Sequence, residues 1–376
     1  MWVKDKGCRH SCPKGKILNP DTGRCKKPVN KKKEKALLPH ITCKYNQIPM
    51  PDGQSCSDIK LVDSGTYGCV MTPVIIESKY ILESDVSYKD RANDDISKIY
   101  KSGYKHYKKE LDILQFVQNI DHLNKFTTKL KAAQHISSHV FDDKDSEMNY
   151  CLSHRKQKTY YQIILENGGN KLTDKYQLSY RKFVELFKPF LKGLITLHKN
   201  NIVHRDIKPA NVLIKKSKIS LIDFGLSCSA KDVYKAKSMH VLSYQYPWYP
   251  PEFYIAAILL HNKPPLDSIL SIMHQEGYFA HSYMTPSLKY IYESGISKFI
   301  ASIKSFKYTK FTEIFTPELA MKADVFPIAH LLSALSRNII FDNSEQKIFI
   351  ESLYNRCIDC NPYTRISLKD LYDAIK

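Results

Sequence analysis

Between Ile59 and Val74 apolar and polar residues alternate on either side of a Gly65-x-x-Gly68 turn, which predicts a hairpin. The run "DISKIY", Asp95–Tyr100, predicts a further strand, and "YKHYKKELDILQFVQNI" after it carries Leu111, Leu114 and Val117 at helical spacing. Residues 121 to 158 are polar and ambiguous. "TYYQIIL" from Thr159 reads as a buried strand, stopped by Gly168 and Gly169. Apolar residues at 183, 186, 187, 190, 191, 194 and 197 then mark a long amphipathic helix closing at Lys199–Asn201. Two short strands follow, Val212–Ile214 and Ser220–Ile222, and from about Tyr254 the chain is mostly helical with proline-containing breaks. Strands first and helices afterwards predict an α+β protein with two unequal lobes.

Composition adds a second region. The chain has 376 residues, 43% of them hydrophobic, as in folded globular proteins, and a formal charge of +19. Its first 57 residues hold thirteen Lys/Arg against four Asp/Glu, and Cys8, Cys12, Cys25, Cys43 and Cys56 fall there out of ten cysteines. Residues 1–35 therefore form a Cys-rich basic segment, 36–57 a linker and 58–376 the main domain. No secreted disulfide framework is implied for that main body. The opening residues lack a secretory apolar core, and the longest apolar run, Phe253–Leu260, falls far short of the roughly 20 residues that span a bilayer. An intracellular, non-membrane protein is expected.

The sharpest chemistry lies in "IVHRDIKPANVLIKKSKISLIDFG", Ile202–Gly225. Asp206 can accept a proton from an attacking hydroxyl, Lys208 can neutralise a transferring phosphoryl group, and Asn211 and Asp223 offer oxygen ligands to Mg²⁺. With H-R-D-x-K-x-x-N followed by D-F-G, the chain from about Ile59 to Lys376 resembles a eukaryotic-type protein kinase domain. The resemblance implies a bilobal fold, with a small β-rich N-lobe (about 58–168) and a larger helical C-lobe (about 169–376). It implies ATP with Mg²⁺ and protein substrates, and Lys208 points to Ser/Thr specificity. His204 and Phe224 look like members of the packed spine behind the site. Arg205 resembles the residue that reads a phosphorylated activation loop, with Ser238 as a candidate phosphosite.

Carried upstream, the resemblance makes Val62, Asp63, Ser64, Gly65, Thr66, Tyr67, Gly68, Cys69 and Val70 the nucleotide-covering loop, with Asp63 where the first glycine normally stands. That departure is expected to weaken nucleotide affinity. Lys98 and Glu110 resemble the strand lysine and helix glutamate that hold the α and β phosphates. Lys79 is the rival lysine, but it follows Gly68 too closely and lacks a matching glutamate. Choosing Lys98 places an insertion at about 75–94. "IILENGG" resembles the hinge, with Leu165 as gatekeeper, the backbone of Glu166 to Gly168 meeting adenine, and Leu213 in the same nucleotide site. Ile96 stands where the family usually has a small alanine, which narrows the pocket.

Downstream, "YPPE" looks like the end of the activation segment, and its Glu252 is expected to pair with Arg365. Asp324 resembles the helix aspartate that braces the catalytic loop. The 72 positions from Glu252 to Asp324 imply an insertion at about 253–318, either a helical elaboration or a docking element for a partner or substrate.

The segment "CRHSCPKGKILNPDTGRC", Cys8–Cys25, looks like the two-cysteine adaptor module that large DNA viruses such as iridoviruses attach to kinases. It suggests a viral kinase in host cytoplasm or the virion, with a viral or host partner recruited through the adaptor. Zinc is a weaker use of these thiols, because no second close cysteine pair follows Cys8 and Cys12. No aromatic stacking motif accompanies the lysine run, so nucleic-acid recognition is not the main expectation. The rival from another class is a pseudokinase scaffold recruiting partners through the fold and the Cys-rich tail. It has no chemical need for Asp206, Asn211 and Asp223 together.

Overall fold

The computed structural model describes residues 60–64, 68–72, 95–101, 103–121, 125–137, 151–152, 159–172, 177–235, 239, 248–280, 284–305 and 310–375, with the backbone alone at 17–18, 25–26, 47–49 and 56–58. The first lobe is one antiparallel sheet. Its strands are β1 (Lys60–Ser64), β2 (Gly68–Thr72), β3 (Ile96–Tyr100), β4 (Leu130–Ser137) and β5 (Thr159–Leu165), in the order β1-β2-β3-β5-β4. Helix α1 (Tyr104–Ile120) joins β3 to β4 and buries Tyr107, Leu111, Leu114 and Val117 at the predicted spacing. The buried set also includes Glu110, a carboxylate that needs a partner at such a position.

Strand β4 lies within the stretch whose polar sequence hid it. Its Gln134 is buried because its amide donates to Gln162 on β5 at 2.5 Å, and Gln162 in turn donates to Ser97 on β3. Three polar side chains satisfy one another across the outer face of the sheet, so a strand formed without apolar alternation. The same face carries a disulfide between Cys69 on β2 and Cys151, a single bridge in a body whose cysteine spacing implied no framework.

In the second lobe β6 (Asn170–Lys171) pairs with β7 (Val212–Lys215), which pairs with β8 (Lys218–Leu221). Lys216 at φ 50° supports a tight turn between them, so β7 runs one residue beyond its predicted end and β8 starts two residues early. Between β6 and β7 lies α2 (Tyr180–Lys199), capped by the Ser179 hydroxyl, which accepts from the Lys182 amide at 3.2 Å. All seven predicted apolar positions of α2 are buried.

The remaining helices are α3 (Pro251–His261), α4 (Ile269–Gln275), α5 (Pro286–Ser305), α6 (Phe311–Ile314), α7 (Pro317–Ala323), α8 (Phe326–Ser336), α9 (Ser344–Cys357) and α10 (Leu368–Ala374). Region 253–318 is woven into the lobe: Phe253, Tyr254, Ile255, Ile296 and Phe299 join the core that also holds Phe187 of α2 and Phe326 of α8. Among the described residues one stretch, Pro317–Ser336, is long and apolar enough to cross a membrane, and it lies mostly inside this core.

Candidate active site

The cleft between the lobes brings β2, β3 and α1 to face the loop after β8. Lys98 on β3 places its Nζ 2.8 Å from both Glu110 carboxylate oxygens and 2.8 Å from Asp223 Oδ1. Burial works against the Lys98 ammonium, but the two carboxylates more than offset it and hold its pKa above the ordinary value. Burial dominates at Glu110 and raises its pKa despite Lys98. Burial would also raise Asp223, yet the charge and hydrogen bond of Lys98 bring it down to about 2. The site thus holds one firmly charged lysine and, at Asp223, one firmly ionised carboxylate.

Across the cleft Asp206 is buried, with the Lys208 Nζ 3.1 Å from its Oδ2. Asn211 donates its amide to Asp206 Oδ2 at 2.8 Å and to the Asp206 carbonyl at 2.9 Å. This loop is hung from α7's end. Asp324 accepts the His204 and Arg205 backbone N–H groups at 2.7 and 2.9 Å and contacts His198 Nε2 at 3.0 Å. Arg205 sits at φ 66°, in the left-handed region that a non-glycine residue enters at a cost, here offset by Asp324's hold on both amides. His204 packs edge-on against Phe224, ring centroids 4.8 Å apart.

A cavity of about 140 Å³ opens between these groups, lined by Val70 and Ile96 from the sheet, Leu165, Glu166 and Gly168 from the interlobe strand, and Leu213 beneath. Gly168 packs closely there, since a Cβ would stand 2.6 Å from Leu213 and 2.8 Å from Thr128 side-chain atoms and would push them aside. Gly68 is constrained more tightly, because the backbone carbonyl of Ile99 lies 2.2 Å from where its Cβ would be. Ile96 lies opposite Leu165 in the strand register, and both line the cavity.

A family model for the protein kinase domain matches residues 57–374. The chain belongs to the protein kinase domain family. Calcium-dependent protein kinase 4 of Plasmodium berghei is 30% identical over 168 residues, 42% of this chain and 27% of that protein. Mitogen-activated protein kinase kinase kinase 8 of Rattus norvegicus is 32% identical over 128 residues, covering 30% of this chain and 27% of the relative. Serine/threonine-protein kinase CAK1 of Saccharomyces cerevisiae is 31% identical over 94 residues, 22% of this chain and 25% of its own length. The matched stretches thus span about a quarter of each of these relatives.

In this kinase domain the remaining sequence-predicted residues divide. Asp63, Gly68, Val70, Lys98, Glu166, Gly168, Asn211, Leu213 and Asp223 border the cavity, with Glu110 behind Lys98. Val62 is exposed on the same hairpin, while Cys69 turns to the outer face. Gly65, Thr66, Tyr67, Lys79, Ser238 and the side chains of the N-terminal cysteines lie outside the described residues. Asp63 receives a Lys171 ammonium at 2.9 Å, a neutralising partner that sequence gave no reason to pair with it. Thr128, Ala210 and Ile222 also line the cavity and went unpredicted; Ala210 and Ile222 adjoin Asn211 and Asp223 and could have been found by adjacency. The expected pair Glu252–Arg365 forms with both side chains fully buried, a two-pronged contact at 2.5 and 2.9 Å.

Proposed function

We propose that the chain is a serine/threonine protein kinase that moves the γ-phosphoryl group of ATP to protein hydroxyls. The observation that carries this is the assembled set across one cleft: Lys98 held by Glu110 and Asp223, facing Asp206 with Lys208 and Asn211. Lys98, kept charged and fixed by Glu110, binds the α and β phosphates. The backbone of the β1–β2 hairpin covers them, Val70 and Leu213 sandwich adenine, and Glu166–Gly168 meets its polar edge. Asp206 orients the incoming hydroxyl and takes its proton, while Lys208 neutralises charge on the moving phosphoryl group.

Asp223, ionised with a pKa near 2, and Asn211 beside it offer the hard oxygen donors that suit Mg²⁺. When bound there, the ion neutralises phosphate charge. Lys208, in place of the arginine-bearing loop of tyrosine kinases, supports Ser/Thr specificity. The Cys8–Cys25 run supports a viral origin, with the N-terminal segment recruiting a partner in the host cytoplasm or virion. Purified protein given Mg²⁺ and labelled ATP should label itself or a protein substrate. Asp206→Asn should remove at least about 99% of that signal, and equal labelling by both proteins would end the assignment.

A further inference from the structure

Strand β2 of the nucleotide hairpin is fastened from behind by a covalent bond. Gly68 and Val70 border the cavity, whereas Cys69 between them points through to the outer face and is bonded to Cys151, 82 residues away in sequence. Cys151 belongs to the connection from β4 to β5. In the sheet β4 is three strands from β2, roughly 14 Å at ordinary strand spacing. The bond therefore ties the connection at one edge of the sheet to the hairpin at the other.

Met71, Ile99, Ile136, Leu152 and Tyr160 surround the bridge in a buried cluster separate from the main core. A cluster this small buries little apolar surface, so the covalent bond adds to the β2–β3 pairing and the Gln134–Gln162–Ser97 hydrogen bonds in fixing this layer. In the sheet β2 lies between β3, with which it pairs from Gly68 to Met71, and the edge strand β1, most of which is exposed.

We propose that the Cys69–Cys151 pair is a redox modification site that sets nucleotide affinity, with the bridged form binding ATP tightly and the dithiol form loosely. The proposal rests on the β1–β2 hairpin being the ATP-covering element. A small-molecule dithiol supplies the reducing chemistry. One of its thiolates attacks a protein sulfur, the Cys69–Cys151 bond breaks and one protein thiolate leaves. The reagent's second thiolate then closes its own disulfide and releases the other cysteine; two electrons and two protons pass to the protein. Both cysteines are buried, at 0% and 6% exposure, so exchange requires the contact between β2 and the 151–152 segment to open. Once the bond is broken β2 has more conformations to give up when nucleotide binds against Gly68 and Val70, which weakens binding. Lys98, Asp206, Asn211 and Asp223 lie on other elements and keep their places, so turnover at saturating ATP changes little.

The test uses the full chain, oxidised or treated with dithiothreitol, with mass spectrometry of alkylated peptides recording the state of the pair. Binding of ADP by calorimetry and the KM for ATP are measured in each state. Reduction should weaken ADP binding and raise KM roughly three- to tenfold, with kcat within about twofold. Cys151→Ser should show the weak value under both conditions, which separates this pair from the half-buried Cys228. If that variant does not fold, the two states of the wild type decide. Equal ADP affinity with the bridge shown cleaved, or both cysteines alkylated as free thiols in the oxidised protein, overturns the proposal. Redox-dependent ADP binding without phosphoryl transfer would defeat the kinase reading and leave this one standing; no ADP binding in either state would defeat both.

Discussion

Asp63 places a carboxylate at the mouth of the proposed phosphate site, and Lys171 decides what that costs. Two like charges about 4 Å apart repel by about 4 kcal/mol at an intermediate dielectric but about 1 kcal/mol in water. Asp63 and Lys171 are both partly exposed, which favours the lower figure, and their ion pair lowers it further. Asp63→Gly alone should therefore move the KM for ATP by less than about twofold. Lys171→Ala, which unmasks the carboxylate, should raise it up to about fivefold, and the double variant should return to near wild type. Steady-state kinetics on the three variants checks this, and additive effects would show that the pair is uncoupled. Ile96 makes a second single-residue test, because its branched side chain lines the cavity opposite Leu165 where a smaller residue would leave more room. Ile96→Ala should admit ATP analogues enlarged on adenine that the wild type rejects, read as labelling with the analogue.

At the scale of elements, the site depends on two parts holding their positions. Helix α1 carries Glu110 to Lys98, so its apolar face sets the distance on which the proposed phosphate contact of Lys98 relies. The segment His204–Asn211 relies on Asp324, whose carboxylate is buried and ionised: burial would raise its pKa, but His198 and the backbone amides hold it below the usual value. Asp324→Ala leaves the two buried amides without their acceptor and releases the turn at Arg205. A loss of about 3 kcal/mol in stability and a fall in kcat larger than the change in KM are expected, from urea unfolding and kinetics. Wild-type kcat in that variant would show that Asp206 keeps its place unaided.

Across the whole molecule, the second lobe is closed by the Glu252–Arg365 pair, which joins the start of α3 to the segment before α10 with no solvent access. Arg365→Met strands a buried carboxylate and should cost about 3–5 kcal/mol, a fall in midpoint that thermal unfolding will measure. A pH effect belongs to this scale as well. His330 on α8 is packed against Trp248 and Phe326, and burial lowers its pKa from 6.5 to about 4. The unfolded chain takes up the proton first, so this residue's share of stability is complete above pH 6.5 and is lost as pH falls toward 4. His330→Phe should flatten that limb of the stability curve. The hydrophobic pattern by itself determined the strands around Lys98 and Ile163, helices α1 and α2 and the order of the lobes, because those elements follow from period and burial alone. Motif spacing brought Asp206, Asn211 and Asp223 to notice, since each chemical role needs its own residue type close by in sequence. Strand β4, the Lys171 partner of Asp63, the Cys69–Cys151 bridge and the absorption of region 253–318 into the core were decided only in three dimensions. Each depends on groups far apart in the chain finding one another across a sheet or a cleft, and a local pattern carries no record of a distant partner.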